Sequence, residues 1–190
     1  MAIVLASQSP RRQELLQRIG VEDFKTLSLD IDESYPEGLS PEDTVRYIAK
    51  KKCDAAAALC APDDLIITAD TMVFLGNDRL GKPRDEEDAL RMLRELAGRA
   101  HTVCTGVSVR RGAQEERFAV STRVFFRPMT DDEIRAYIKT GEPMDKAGAY
   151  GVQSRGALFV ERIDGDFFNV MGLPVEQLGL VLARFGVKLL

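Results

Sequence analysis

The sequence predicts an α/β fold in which a mixed β-sheet is flanked by helices. Apolar runs of strand length alternate with amphipathic helical patterns along the chain, and capping signals mark several helix starts. A turn at 111–113 joins two long β-type segments, which implies one antiparallel hairpin in the middle of the chain. The 190 residues have the size of an ordinary domain, so we expect a single domain over 1–190.

The predicted elements follow in chain order. A strand at 2–6 precedes a helix at 10–19 that Gly20 ends, then an extended segment near 23–30 and a helix at about 41–60. Next come a strand at 65–75, a helix at 85–97 ended by Gly98, and strands at about 101–110 and 115–127. A helix at 131–140, a glycine-rich loop at 147–156, a strand at 157–163 and a helix at 174–185 complete the chain.

Capping signals support four of these helix starts. Ser9 is a good N-cap, and Pro10 after it suits the first helical position. Capping boxes mark the other three starts, at Ser40…Asp43, Asp85…Asp88 and Thr130…Glu133.

Composition limits the classes of function. The net charge of −4 argues against a nucleic-acid polymer as the main ligand but allows a local basic site for a small anion. No stretch resembles a membrane span, and the first residues lack the basic region of a signal peptide. Cys53, Cys60 and Cys104 are odd in number and form no C-x-x-C pair, so we expect reduced thiols in a cytoplasmic protein. Cys53 and Cys60 are seven apart in a helical pattern, so we expect both to pack as small apolar residues. His101 is the only histidine, which excludes a histidine-based metal cluster and favours a structural or surface role.

The segment from Ser7 to Arg12 carries the first candidate site. Arg11 and Arg12 fall in the first turn of a predicted helix, where the positive end of the helix dipole disfavours cations. Two guanidinium groups beside unsatisfied helix N–H donors are typical of a site that receives an anion, for which phosphate is the obvious candidate. The alternative is a solvated pair of arginines.

Two charged residues interrupt apolar patterns. Lys52 lies near the centre of the apolar stripe of the helix at 41–60, so it either snorkels to solvent or reaches a buried anion. Asp70 interrupts an apolar strand, where a carboxylate is costly unless it is paired or bound to a cation. Asp70 is therefore the strongest candidate for a functional acid, with an ion pair to a base such as Lys52 as the alternative. The stripe itself consists of Val45, Ile48, Ala49, Ala56 and Leu59.

Three further segments carry weaker signals. Pro83 fixes the backbone after Lys82, which either faces a ligand or is solvated. The acidic cluster of Asp30, Asp32 and Glu33 is either a solvated turn or supplies a residue that joins Asp70 around Mg²⁺ or Mn²⁺. The segment 145–153 is either a mobile loop or a ligand loop, in which glycines allow close approach and the Gln153 amide reads a base edge.

Several linked motifs appear in order along almost the whole chain. They are Ser7-x-Ser9-Pro10-Arg11-Arg12-x-Glu14-Leu15-Leu16, Ala69-Asp70-Thr71, Gly81-Lys82-Pro83, Asp145-Lys146-Ala147-Gly148-Ala149-Tyr150-Gly151, Gly165-Asp166 and Asn169-Val170-Met171-Gly172-Leu173-Pro174. This set resembles the Maf family of nucleoside triphosphate pyrophosphatases. The resemblance implies a fold similar to that of Maf and inosine-triphosphate pyrophosphatases, with a long mixed sheet, flanking helices and two lobes around a cleft. It also implies cleavage of a nucleoside triphosphate between its α and β phosphates, which requires a divalent cation.

The resemblance further assigns roles to residues. Asp70 corresponds to the catalytic acceptor, and substrate choice is expected to involve Arg11, Thr71 and Gln153. Phosphate binding is expected for Ser7, Arg11, Arg12, Lys52 and Lys82, and binding of Mg²⁺, Mn²⁺ or Co²⁺ for Glu33 and Asp70. Whether Asp70 takes the proton from water or only holds the metal stays open. A homodimer is plausible by analogy with the family alone.

The form Asp-Lys-Ala-Gly-Ala-Tyr-Gly-x-Gln resembles the branch that acts on dTTP and UTP. The 7-methyl-GTP branch tends to carry cysteine at the position of Lys146 and another residue at that of Gln153. Ser154 departs from the dTTP/UTP branch, where glycine is common, and this difference bears on loop geometry and base preference. The alternatives are hydrolysis of 7-methyl-GTP, a broad house-cleaning activity on modified nucleotides, and a nucleotide-binding regulator of cell division.

Overall fold

The computed structural model describes all 190 residues and has the mixed α/β architecture that the sequence predicts. The strands are β1 (Ile3–Leu5), β2 (Phe24–Thr26), β3 (Leu65–Leu75), β4 (Asp78–Leu80), β5 (Ala100–Arg111), β6 (Gln114–Phe126) and β7 (Val160–Asp164). They form one seven-stranded sheet of order β2-β1-β3-β5-β6-β7, with β4 paired to β3. β1 runs parallel to β2 and β3, whereas β4 and β7 pair antiparallel with their neighbours.

The helices agree with the predicted pattern in most places. They are α1 (Pro10–Arg18), α2 (Pro41–Ala57), α3 (Glu86–Leu96), α4 (Asp131–Ile138), α5 (Phe167–Met171) and α6 (Val175–Arg184). Short 3₁₀ segments cover Glu142–Asp145, Ala147–Ala149 and Arg155–Phe159. No helix combines the length and the apolar character that crossing a membrane requires.

Some predicted boundaries are wrong. The helix expected to reach residue 60 ends at Ala57, so Leu59 is 68% exposed instead of lying in the apolar stripe, whose other members are buried. The strand expected at 157–163 begins only at Val160, because the 3₁₀ segment occupies the residues before it. The short elements β4 and α5 were not predicted.

Three of the four predicted helix caps form, although only the cap at Thr130 is a complete capping box. Asp43 and Asp88 donate their backbone N–H groups to Ser40 and Asp85, at 3.1 and 2.8 Å. The Thr130–Glu133 box closes in both directions, at 3.2 and 2.8 Å. Ser9 stands at the N-cap of α1, but its side chain makes no capping hydrogen bond. Ser9 instead donates its backbone N–H to Ser7 Oγ at 3.2 Å.

The chain divides into two compact units. Unit 1 comprises Met1–Asp70, Thr105–Val120 and Gly172–Leu190, and unit 2 comprises Thr71–Cys104 and Ser121–Met171. This division agrees with the two lobes that the family resemblance implies. The cleft between the lobes and the single domain over 1–190 stay predictions.

In unit 1, close packing of α2 on the sheet determines where Lys52 lies. A Cβ added at Gly106 of β5 would overlap the carbonyl group of Val45 and lie 2.6 Å from the nitrogen of Arg46. Thr68 of β3 donates its hydroxyl to the carbonyl of Ala49 at 2.7 Å. Only glycine therefore allows α2 to approach β5 this closely, while a buried hydrogen bond fixes its position along β3.

The three cysteines are free thiols. Cys53 is buried with Ala6, Ala56 and Ile66, and the half-buried Cys60 packs against this cluster. Burial raises the pKa of the Cys53 thiol, which keeps it protonated at neutral pH. Cys53 and Cys60 therefore pack as small apolar residues, as predicted.

In unit 2, His101 belongs to a buried aromatic cluster and is not on the surface. His101 is 3% exposed, its Nε2 lies 2.8 Å from the Tyr150 hydroxyl oxygen, and Phe126 and Tyr150 contact its ring edge-to-face. Burial lowers the pKa of His101 to about 4 and raises the pKa of Tyr150. Both side chains are consequently neutral at pH 7. His101 thus has a structural role in the core, which is one of the two alternatives predicted for it.

Candidate active site

Lys52 brings two carboxylates together in unit 1. Its Nζ lies 2.8 Å from Asp70 Oδ1 and 2.8 Å from Glu33 Oε1. The side chains of Lys52 and Asp70 are only 14% and 9% exposed, whereas that of Glu33 is 56% exposed. Two alternatives were considered for Lys52. In the structure its side chain contacts a buried carboxylate, that of Asp70, and does not snorkel to solvent.

Asp70 has one bonded and one unbonded oxygen. It lies in β3 where the fully buried run of residues ends and half-buried residues begin. Oδ1 accepts a hydrogen bond from Lys52, but Oδ2 is buried without any hydrogen-bond partner. Because an unsatisfied buried oxygen is unfavourable, Oδ2 is a natural position for a ligand, a water molecule or a cation.

Arg12 is oriented by the chain around it. Its Nε donates to the Gly172 carbonyl at 2.8 Å, and its Nη1 donates to Ser7 Oγ at 3.2 Å. Burial lowers the pKa of Arg12 and the charge of Asp70 raises it, but a guanidinium stays protonated in either case. Ser7 therefore orients Arg12, and its own hydroxyl proton remains available to an oxygen of a ligand.

Arg11 lies next to Arg12 in the first turn of α1, as the sequence predicts. The two positive charges act on each other, since the neighbouring Arg11 is among the groups that lower the pKa of Arg12. Asp70 and Glu33 act on Arg12 in the opposite sense. Unit 1 thus assembles Arg12, Lys52, Asp70 and Glu33 within electrostatic range of one another.

Asp32 and Glu33 of the acidic cluster have different roles: Asp32 belongs to a solvated turn, and Glu33 joins Asp70. Asp32 accepts the backbone N–H of Ser34 at 2.9 Å, and this bonding to Ser34 lowers the pKa of Asp32. Asp32 also lies 3.6 Å from the ammonium of Lys51, so it belongs to a solvated turn. Glu33 alone joins Asp70, through their shared contact with Lys52.

Two carboxylates, those of Asp70 and Glu33, are the protein ligands that this site could offer to a metal ion. No group of three or more histidine, cysteine, aspartate or glutamate side chains could hold a metal ion. Mg²⁺ is often held by one or two carboxylates while substrate phosphates and water complete its shell. Asp70 and Glu33, with the unpartnered Oδ2, fit a hard cation of that kind and no all-protein metal cage.

The other predicted site residues belong to unit 2. Thr71 follows Asp70 directly in β3 and is half-buried, and Lys82 and Gln153 are exposed in loops. Gly148 donates its N–H to the Gly81 carbonyl at 3.0 Å, which joins the Lys82 loop to the segment before Gln153. The structure does not bear on the roles of Thr71, Lys82 and Gln153, which stay predictions.

Glu142 organises the Gln153 loop and was missed by the sequence analysis. Its Oε1 accepts hydrogen bonds from the hydroxyls of Tyr137 and Ser154, both at 2.7 Å, and from Gly156 N at 3.1 Å. The available signal was an acid between glycine and proline, three residues before Asp145 of the Asp145-Lys146 motif. This signal is not sufficient, because the local sequence does not indicate which distant hydrogen-bond donors the carboxylate of Glu142 contacts.

Comparisons with known proteins agree over nearly the full chain. A sequence model of the Maf-like protein family matches residues 2–185. The dTTP/UTP pyrophosphatase of Bacillus velezensis is 46% identical, covering 98% of this chain and 97% of that protein. The proteins of the same name from Pelotomaculum thermopropionicum and Dictyoglomus turgidum are 46% and 47% identical, each covering 99% of this chain and 98% of the relative.

Solved structures show the same fold at low sequence identity. The Ham1 protein of Staphylococcus aureus superposes with a TM-score of 0.55 at 14% identity, covering 97% of this chain and 100% of that one. A HAM1 protein from Coxiella burnetii gives 0.53 at 12% identity, covering 97% and 99%. At these identities the likeness concerns the fold alone, and it agrees with the predicted long mixed sheet flanked by helices.

Proposed function

The chain belongs to the Maf-like protein family, and on this premise we propose that it hydrolyses dTTP and UTP to the nucleoside monophosphate and pyrophosphate. Curated relatives that carry the name dTTP/UTP pyrophosphatase, at 44–47% identity over nearly the full chain, support the proposal. The structural observation that carries it is the contact of Lys52 with both Asp70 and Glu33 beside the oriented Arg12.

Asp70 is the carboxylate that acts on water in the proposed reaction, either as proton acceptor or as a ligand of the cation. The water oxygen forms a bond to the α phosphorus while the bond from that phosphorus to the bridging oxygen breaks, and pyrophosphate leaves. The water proton passes to Asp70 Oδ2, which is buried and has no other partner, or it passes to solvent if Oδ2 instead holds the divalent cation. The hydrogen bond from Lys52 to Oδ1 holds the carboxylate so that Oδ2 keeps its orientation.

Cationic side chains offset the charge of the triphosphate. Arg12 is already oriented by Ser7 and Gly172, so little reorganisation is needed when phosphate oxygens arrive. Lys52 is largely buried, and a charge in such surroundings acts more strongly than it would in water. Arg11 and Lys82 are proposed as further phosphate ligands.

A divalent cation is part of the proposal, with Mg²⁺ and Mn²⁺ as the main candidates and Co²⁺ as a further one. Asp70 and Glu33 are the residues that would hold it, because they supply the hard oxygen donors that such ions prefer. When bound, the ion would add positive charge against the phosphate oxygens.

Base selection is assigned to Arg11, Thr71 and Gln153. The Gln153 amide offers one acceptor and paired donors on an exposed loop, which can match the edge of a pyrimidine. A site built for such hydrogen bonds rejects bases that leave its groups unpaired. Lys146 and Gln153 also stand where the branch that acts on 7-methyl-GTP tends to differ.

A nucleotide panel tests the proposal. Purified protein is incubated with dTTP, UTP, CTP, dGTP and 7-methyl-GTP in Mg²⁺, Mn²⁺, Co²⁺ or EDTA, and pyrophosphate, orthophosphate and monophosphate are quantified. We expect pyrophosphate release with the highest kcat/KM for dTTP and UTP, and none in EDTA. Faster hydrolysis of 7-methyl-GTP would contradict the base assignment, and orthophosphate release would contradict cleavage between the α and β phosphates.

The same assay separates an enzyme from a nucleotide-sensing regulator. A regulator would bind dTTP without releasing pyrophosphate, and it has no use for a buried carboxylate oxygen that lacks a partner. We therefore favour the enzyme. The homodimer and the cytoplasmic location stay predictions.

A further inference from the structure

Glu142 is bonded on both of its carboxylate oxygens to the loop that contains Gln153. Oε1 accepts from Ser154 Oγ at 2.7 Å and from Gly156 N at 3.1 Å, and Oε2 accepts from Arg155 N at 3.3 Å. The donors are the residues that follow Gln153 directly in the chain. One carboxylate thus determines the path of the backbone on the C-terminal side of Gln153.

Tyr137 fixes the other side of the same loop. Its hydroxyl donates to Glu142 Oε1 at 2.7 Å and accepts the N–H of Gly151 at 3.1 Å. A Cβ added at Gly156 would lie 2.8 Å from this hydroxyl and 2.6 Å from the Gly151 carbonyl oxygen. Gly151 and Gly156, the two ends of the loop, therefore pack closely against each other and against the Tyr137 hydroxyl. Gln153 lies between them in the chain.

The charge on Glu142 supports these bonds. Partial burial raises the pKa of Glu142, but the hydrogen bonds from Ser154 and Tyr137 and from two backbone amides outweigh this effect, so its pKa is lowered overall. Burial raises the pKa of Tyr137, so its hydroxyl remains a donor. Hydrogen bonds to an ionised carboxylate are about twice as strong as neutral ones.

We propose that Glu142 is a positioning residue for base selection, which acts through Ser154 and Tyr137 to hold the Gln153 amide in place. The inference rests on the proposed function, since it concerns how Gln153 distinguishes pyrimidine from purine. Ser154 adds a side-chain bond to Glu142 that glycine, the common residue of the dTTP/UTP branch at this position, cannot make. Glu142 itself contacts no substrate in this assignment.

A double-mutant cycle tests the inference. The measured quantity is the ratio of kcat/KM for dTTP to kcat/KM for dGTP in wild type, Ser154→Ala, Gln153→Ala and the double variant. We expect Ser154→Ala to lower this ratio about fivefold and to have no further effect in the Gln153→Ala background, because neighbours that act through one another are not additive. An equal loss in both backgrounds would overturn the assignment.

Glu142→Gln extends the test, with Glu161→Gln as the control because Glu161 is an exposed acid of β7 in the same unit. We expect Glu142→Gln to lower the dTTP/dGTP ratio by more than Ser154→Ala does, while the control keeps the wild-type ratio. If the Glu142→Gln protein is folded, as judged by circular dichroism, and keeps the wild-type dTTP/dGTP ratio, the positioning role of Glu142 is overturned but the proposed function is not. A wild-type protein that releases no pyrophosphate from dTTP would overturn the proposed function as well.

Discussion

Asp70 in unit 1 and Glu142 in unit 2 are acids of the same chemistry in opposite hydrogen-bonding states. Asp70 has one oxygen on Lys52 and the other buried without a partner. Glu142 has both oxygens occupied, by hydroxyls and by backbone amides of the chain itself. Asp70 therefore has a free oxygen that can bind a ligand, a water molecule or a cation. Glu142 has no free oxygen, and its hydrogen bonds fix the conformation of the loop.

The same contrast extends to the groups around each acid. Unit 1 surrounds Asp70 with full charges, from Lys52, Glu33 and Arg12. Unit 2 surrounds Glu142 with neutral donors, which are two hydroxyls and two backbone amides. A charged set can exchange one ionic partner for a phosphate or a cation, whereas a carboxylate held by neutral donors of its own chain keeps one geometry. This difference predicts that mutations at Asp70 chiefly affect turnover, whereas mutations at Glu142 and its donors chiefly affect the shape of the Gln153 loop and, through it, base selection.

The largest expected effect is that of Asp70→Asn. The amide can neither accept a proton nor offer a charged oxygen to a cation, so kcat for dTTP should fall about a thousandfold. The thermal midpoint should change little, because the amide has the same shape, its oxygen can still accept from Lys52, and Lys52 keeps its contact with Glu33. Steady-state kinetics and a melting curve measure both, with Asp63→Asn, an exposed acid of unit 1, as the control. A variant that retains wild-type turnover would remove Asp70 from the mechanism.

Gly106→Ala should reduce stability and activity together. The added Cβ would overlap the carbonyl group of Val45, so α2 must shift at a cost of about 3 kcal/mol. Lys52 would shift with it and lose its position on Asp70. Urea denaturation and kinetics measure the two effects. Gly179→Ala in α6 is the control, since a Cβ there meets only a Leu189 methyl at 3.6 Å and should be neutral or slightly stabilising. An unchanged unfolding free energy for Gly106→Ala would contradict the close packing.

Acidification should weaken the protein through His101. Burial lowers the pKa of this group to about 4 from 6.5, so the unfolded chain binds a proton at a pH where the folded one does not. This contribution to stability is complete above pH 6.5 and is lost as the pH falls towards 4. Between pH 7 and 5 the free energy of unfolding should drop by about 2 kcal/mol.

His101→Phe provides the comparison for that pH dependence. The variant should lose most of the slope between pH 7 and 5, whatever its stability at pH 7. Asp88 and Glu133 have pKa values lowered to about 2, so their contributions are lost mainly at lower pH and stay outside this window. Urea titrations at a series of pH values measure the slope, and equal slopes for wild type and variant would exclude His101 as its source.

The smallest expected effect is that of Thr130→Ala. The variant removes the hydroxyl that caps α4, the helix that carries Tyr137, and should cost about 1 kcal/mol of stability. Because α4 keeps its place in the fold, the dTTP/dGTP ratio should stay at the wild-type value. This outcome would separate general loss of stability from the positioning assigned to Glu142. A changed ratio at wild-type fold content would show that the two effects are coupled.

Much of unit 1 could be predicted because its signals are local. Lys52 within an apolar stripe and Asp70 within an apolar strand each break a short-range pattern, and the need for a charge partner follows from burial alone. Two local features were predicted incorrectly. α2 ends at Ala57 although its periodicity continues to Leu59, and Ser9 leaves its capping bond unmade.

The sequence by itself determined the alternation of strands and helices, the capped starts of α2, α3 and α4, and the need of Lys52 and Asp70 for partners, because each follows from periodicity or desolvation over a few residues. Only the tertiary structure decided that Glu33 and not Asp32 shares Lys52, that one oxygen of Asp70 stays unbonded, and that Glu142 holds the Gln153 loop. Hydrogen bonds between residues far apart in the chain depend on where whole elements pack, and no local pattern encodes that.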